Sequence, residues 1–164
     1  AFYVANPETP LRGTVVHINE GYQFPPDGDE SESDCGRVHS SENYWALPGY
    51  IWPAHPEPGD EPAKMVTLYR VSHPDTNVDT VRIIGCWRGD YDGCQANCAA
   101  INETLRIVAV SACDRIYFVS MDDIVDSLYD APPVAVWRCG FNVGELEWID
   151  GILYATAGHM IYVF

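Results

Sequence analysis

Short apolar runs alternate with turn residues along most of the chain. Residues 14–18, 65–71, 80–84, 105–110, 115–119, 133–137, 151–156 and 160–164 are rich in β-branched and aromatic side chains. They are bounded by Gly, Pro, Asp, Asn or Ser, which predicts strands. Many short strands divided by turn signals predict a β-rich domain. Two segments break the pattern. Residues 120–129 set Ser120 ahead of two acids and space Met121, Ile124, Val125 and Leu128 along one face, so a short helix is expected. Residues 94–102 are expected to form a second helix. Residues 25–43, acidic and rich in Gly and Ser, are expected to be a surface loop. So are residues 53–62, where Pro53, Pro56, Pro58 and Pro62 stiffen the backbone and remove N–H donors.

The runs repeat. Leu68-Tyr69-Arg70-Val71 recurs as Ile116-Tyr117-Phe118-Val119 and again as Ile161-Tyr162-Val163-Phe164, and Trp87-Arg88 recurs as Trp137-Arg138. The period of roughly 45–50 residues is the size of one four-stranded blade. The stretch from Glu145 through the Asp150-Gly151 turn to Tyr162-Val163-Phe164 resembles a β-propeller blade, and the resemblance covers residues 65–164. It implies blade repeats. Three units fit, whereas closed propellers have about four to eight blades. Closure then calls for a homo-oligomer, a further chain, or another architecture. A β-sandwich and a twisted antiparallel sheet with one or two short helices stand as alternatives.

At 164 residues the chain is the size of one domain, residues 1–164, with enough apolar content to bury a core. A net charge of −15 argues against nucleic acid and against anionic membranes. No run is long and apolar enough for a membrane span. The six cysteines, Cys35, Cys86, Cys94, Cys98, Cys113 and Cys139, predict up to three disulfides and an oxidising, extracellular compartment. The first residue, Ala1, is as expected of a processed secreted chain. The matching contexts Cys86-Trp87-Arg88 and Trp137-Arg138-Cys139 favour pairing Cys86 with Cys139. A Cys94–Cys98 bridge would close a very small loop, so one of the two is expected to reach Cys35 or Cys113. The spacing lacks a second zinc-like pair, so neither a metal nor another cofactor is expected. Asn102-Glu103-Thr104 is a glycosylation sequon, expected to carry sugar in a secreted chain.

No nucleophile elbow, zinc-protease motif or phosphate loop is present, and the five histidines are scattered. The aromatic stretch Tyr44, Trp45, Tyr50 and Trp52, interrupted by Pro48-Gly49, is expected to form a loop or hairpin. Its rings either cover the core edge or stack on a ligand. Alternation within strands sends Trp87 and Trp137 inward and Arg88 and Arg138 outward, where the arginines can serve as donors. Glu145 and Glu147 share one strand face and could act as a carboxylate pair on a glycosidic bond. Asp122, Asp123, Asp126 and Asp130, with Asp90 and Asp92, are read as solubilising acids. The leading expectation is a secreted, non-catalytic binding module that recognises a glycan or a partner protein through Tyr44, Trp45, Tyr50, Trp52, Arg88 and Arg138. The alternatives are a cysteine-bridged effector or toxin-like interaction protein and a glycoside-active enzyme.

Overall fold

The computed structural model describes residues 2–6, 9–16, 31–32, 38–72, 80–126 and 129–164. Fourteen strands and one short helix run in the order β1 (Phe2–Asn6), β2 (Thr9–Val16), β3 (Ser31–Glu32), β4 (His39–Ser40), β5 (Tyr44–Ile51), β6 (Ala63–Ser72), β7 (Thr80–Tyr91), β8 (Ala96–Asn102), β9 (Ile107–Ala112), β10 (Arg115–Ser120), α1 (Met121–Val125), β11 (Ala135–Arg138), β12 (Leu146–Ile149), β13 (Ile152–Ala157) and β14 (Met160–Val163). The protein is β-rich and its strand pairs are antiparallel. Apart from the β1–β2 hairpin, the strands form three consecutive meanders. The first runs through β5, β6 and β7, with β3 and β4 both pairing the outer side of β5. The second is β8-β9-β10-β11 and the third β12-β13-β14. The sheets are separate and do not close into a ring among the described residues. The repeated Trp-Arg pair falls on the last strands, β7 and β11, and the repeated tyrosines fall on β6, β10 and β14.

The second sheet lies between the other two. One of its faces meets the first sheet in a core that includes Val66, Leu68, Trp87, Val108, Val110 and Tyr117. Its other face meets the third sheet through Cys98, Ala109, Ile116, Leu146, Leu153 and Ala155. This position corrects one expectation. Residues 94–102 are not a helix but contain β8, which is buried at six of its seven positions. A strand covered on both faces reads as a continuous apolar run and loses the alternation that reveals strands. The helix expected over 120–129 is present as α1, five residues long, with the Ser120 hydroxyl accepting the Asp123 N–H at its start. It packs on β7 so closely that a Cβ on Gly85 would collide with the Ile124 backbone.

The aromatic stretch is also corrected. Residues 44–51 form one continuous strand paired to β6 along its whole length, not a loop. Among the described residues no strand pairs residues 47–49 on the other side of β5, so Pro48 leaves no ladder partner without its N–H there. Residues 53–62 are irregular.

One disulfide is described, Cys94–Cys113, with Cα atoms 5.7 Å apart. The pairing of Ala96 with Ala112 brings the two cysteines beside each other at one end of the sheet. This meets the expectation that Cys94 or Cys98 reaches Cys113. Cys98 and Cys139 are free thiols, so the Cys86–Cys139 bridge is not formed. Cys86 belongs to a separate cluster with Ile51, Ala63 and Met65, while Cys139 packs against the core between the second and third sheets. Cys98 and Cys139 cannot bridge each other. They lie at opposite edges of a four-stranded sheet, about 14 Å apart at the usual strand spacing. Cys35 lies outside the described residues.

Candidate functional site

The three meanders meet at their leading strands. β8 contacts β4 and β5 on one side and β12 on the other. A cleft of about 500 Å³ opens where β4, β8 and β12 converge. Its lining includes His39, Cys98, Glu145, Glu147, Tyr154 and Thr156, with Ile149 and Ile161 as apolar walls. The β12–β13 hairpin builds most of one wall. Asp150 and Gly151 turn it with positive φ at both positions, the backbone that a two-residue Asp-Gly turn favours. Register then places Ile149 opposite Ile152, and Glu147 opposite Tyr154.

Several polar groups of the cleft are held. His39 Nδ1 accepts the Ile101 N–H at 3.3 Å, which leaves the ring proton on Nε2, 3.4 Å from Glu147 Oε2. Glu145 N–H donates to Thr156 Oγ1 at 2.9 Å. The Cys98 sulfur accepts the Leu146 N–H at 3.3 Å and is 7% exposed. Burial pushes its thiol pKa up, and the charges of Glu145 and Glu147 push it the same way, against the backbone hydrogen bonds. A thiol in acidic surroundings with a raised pKa is a poor nucleophile, so Cys98 acts as a packed acceptor joining β8 to β12. Among the described residues no group of three or more His, Cys, Asp or Glu side chains could hold a metal.

Other residues singled out in the sequence lie elsewhere. The four aromatics do not share one platform. Tyr44 packs against the core between the first and second sheets, and the Arg106 guanidinium donates to its hydroxyl at 3.2 Å. Trp45 points to the opposite face of β5, against the Tyr69 and Val71 cluster. Tyr50 and Trp52 are half-buried near the far end of the strand. Trp87 is buried, as expected, but Trp137 is 49% exposed because β11 is an edge strand, and it stacks edge-on against Phe164. Arg88 reaches a second cavity, whereas Arg138 pairs with Asp114 at 3.1 Å on the surface. Asn102 is 9% exposed and its Oδ1 accepts the Leu105 N–H. The sequon therefore occupies a packed turn, an unfavourable acceptor for a bulky sugar once the chain has folded.

One carboxylate fixes the β4 side of the cleft to the second sheet. Glu103 accepts from the Ser41 hydroxyl at 2.5 Å, the Asn43 N–H at 2.7 Å and the Asn43 side-chain amide at 2.9 Å. Desolvation opposes its ionisation, but these hydrogen bonds and the nearby Arg106 outweigh it, so its pKa falls below the usual glutamate range. A depressed carboxylate stabilises the fold above its unfolded pKa of about 4.3, and that contribution fades as pH falls through the lower folded value. Glu103→Gln is expected to cost about 1–3 kcal/mol at pH 7 and progressively less below about pH 4. Urea unfolding at pH 7 and pH 3 checks this; an equal cost at both would show that ionisation of Glu103 contributes nothing.

No known protein-family model matches this sequence, and a search of curated proteins gives no significant match.

Proposed function

We propose that the protein is a secreted, non-catalytic binding module built from propeller-type blades, and that it takes a neutral glycan in the cleft between β4, β8 and β12. The observation that carries this reading is the lining of the cleft. Among the described residues it combines carboxylates and hydroxyls with aliphatic walls and includes no lysine or arginine. Sugar hydroxyls supply donors for such acceptors, and the apolar faces of a pyranose suit walls like Ile149 and Ile161. An anionic ligand would meet two carboxylates with no cation among the described lining residues.

The carboxylates also weigh on the hydrolase alternative. Glu145 and Glu147 stand two residues apart on one wall, about 6.6 Å along the strand. Glycoside cleavage needs carboxyl groups flanking the scissile bond. Two glutamates on the same wall serve orientation better than cleavage. The blade reading draws support from the phase of the repeat, since the Trp-Arg pair marks the last strand of both the first and second meanders. The Cys94–Cys113 bridge fits an oxidising compartment. Among the described residues no helix is long and apolar enough to cross a membrane.

A neutral-glycan array tests the reading. Wild-type signal is expected to fall about tenfold or more in Glu145→Gln and in Glu147→Gln, since each loses a charged acceptor. Trp52→Ala is expected to bind normally. An empty array, signal that survives both glutamate changes, or signal that depends on Trp52 would overturn the proposal.

A further inference from the structure

The third sheet ends in a strand with an open side. Among the described residues β14 pairs β13 and no other strand. Phe164 and Leu153 exchange both backbone hydrogen bonds: Phe164 N–H donates to the Leu153 carbonyl at 2.9 Å, and Leu153 N–H to the Phe164 carbonyl at 3.3 Å. Such exchanging pairs alternate along an antiparallel ladder. The register therefore turns the backbone groups of Tyr162 and Met160 toward β13, and those of Ile161 and Val163 toward the open side. Side chains alternate too. Tyr162 shares the inner face with Leu153 and Ala155 and stacks on Phe141, ring centres 4.1 Å apart. Ile161 and Val163 share the outer face and are 68% and 60% exposed.

Proteins blunt an open sheet edge with a charge, a proline or a bulge, because unpaired N–H and C=O groups template a further strand. β14 has none of these. It pairs β13 in unbroken register and reads Met-Ile-Tyr-Val. Residues 151–164 contain no Asp, Glu, Lys or Arg, in a chain of net charge −15. Glu145 and Glu147 lie at β12, two strands and about 10 Å away, which is a Debye length in physiological salt. Arg138, beside the Trp137 that touches Phe164, is paired with Asp114 at 3.1 Å. A partner of opposite charge finds nothing to pair with along this strand. A second copy of the chain, repelled by acids elsewhere, finds nothing here to repel it.

We propose that β14 is a homodimer edge, pairing antiparallel with β14 of a second copy about a two-fold axis at Tyr162. This register sets Ile161 opposite Val163 of the second copy, and Val163 opposite its Ile161. Both residues have their backbone groups on the open side, so each pair exchanges both hydrogen bonds. A shift in either direction leaves one of these residues unpaired. On the outer face Ile161 lies against Val163 of the second copy. On the inner face the two Tyr162 side chains meet as a close, non-exchanging pair, each backed by Phe141. The two third sheets become one continuous sheet. The interface is independent of the glycan reading, which it neither needs nor supports.

Sedimentation equilibrium from about 1 μM to about 500 μM covers the affinities of weak interfaces and tests the assignment. The wild-type mass is expected to rise from one chain to two and stop there, because a two-fold contact closes. Added salt is expected to tighten the dimer, since it screens like net charges and breaks no ion pair. Val163→Pro removes an N–H that β13 does not use, and Val163→Lys puts a charge on the edge. Each is expected to raise the dissociation constant about tenfold or more, with the cross-strand contacts of β12 and β13 retained. Leu105→Lys puts the same charge on a residue 54% exposed in the β8–β9 turn, and is expected to dimerise like wild type. Amide exchange at Ile161 and Val163 is expected to slow as wild-type concentration rises. The proposal is overturned if the chain stays monomeric throughout, if its mass passes two chains, or if salt dissociates the dimer. It is equally overturned if Val163→Pro dimerises normally, if Leu105→Lys does not dimerise, or if the two amides exchange at a rate independent of concentration.

Discussion

Trp87→Ala, at the largest fully buried side chain among the described residues, is expected to cost about 3–5 kcal/mol of folding stability. Trp87 is 1% exposed and joins two sheets. Its ring lies 5.7 Å from that of Tyr117 on β10, and its indole N–H donates to the Ala131 carbonyl at 2.9 Å. Truncation leaves a large void between tightly packed sheets and strands that carbonyl. Trp87→Phe keeps most of the volume but loses the donor, so it is expected to fall between wild type and Ala. Urea unfolding of the three proteins measures this series. A loss under about 1 kcal/mol for Trp87→Ala would mean that the first and second sheets do not pack through this ring.

Replacing both Cys94 and Cys113 with Ser is expected to cost about 3 kcal/mol. The bridge spans a sequence separation of 19 and ties the segment ahead of β8 to the β9–β10 turn. Without it the unfolded chain regains the freedom of that loop. β8 is the strand that contacts both neighbouring sheets, so the leading strands are expected to lose order first. Thermal unfolding of the oxidised, reduced and double-Ser proteins measures the cost. Reduced and double-Ser chains are expected to melt together and below the oxidised chain. Equal melting of all three would mean that the bridge does not constrain the fold.

The regular parts of this architecture were legible where local chemistry decides them. The Asp150-Gly151 hairpin is written in a dipeptide that accepts positive φ, and the strand pattern on either side of it is plain. Ser120 marks the start of α1 for the same local reason. What the sequence hid depends on neighbours far away. β8 looked helical because Ala96, Ala99 and Ala100 are small and buried, with no polar face to reveal a period of two. β5 looked like a loop because Pro48-Gly49 interrupts it, and only its pairing with β6 makes those residues acceptable. Trp137 was expected inside by analogy with Trp87, but among the described residues β11 has a neighbour on one side only.

The cleft divides in the same way. Glu145 and Glu147 could be singled out from their alternation along one strand. His39 could not be joined to them, because it meets Glu147 only where β4 and β12 come together across β8. Cys98 was counted among the bridging cysteines, whereas its sulfur accepts a hydrogen bond from β12. The Tyr44-to-Trp52 aromatics drew attention because of their density. Strand geometry sends neighbouring rings to opposite faces and disperses them.

Nuclear Overhauser contacts in the oxidised protein test most directly whether three successive meanders gather their leading strands around one cleft. The His39 ring is expected to show contacts to the Ile101 amide, and Cys98 to the Leu146 amide, in the same sample. Absence of both, with the β8–β9 and β12–β13 pairings intact, would mean that the sheets form but do not assemble, and that the cleft does not exist.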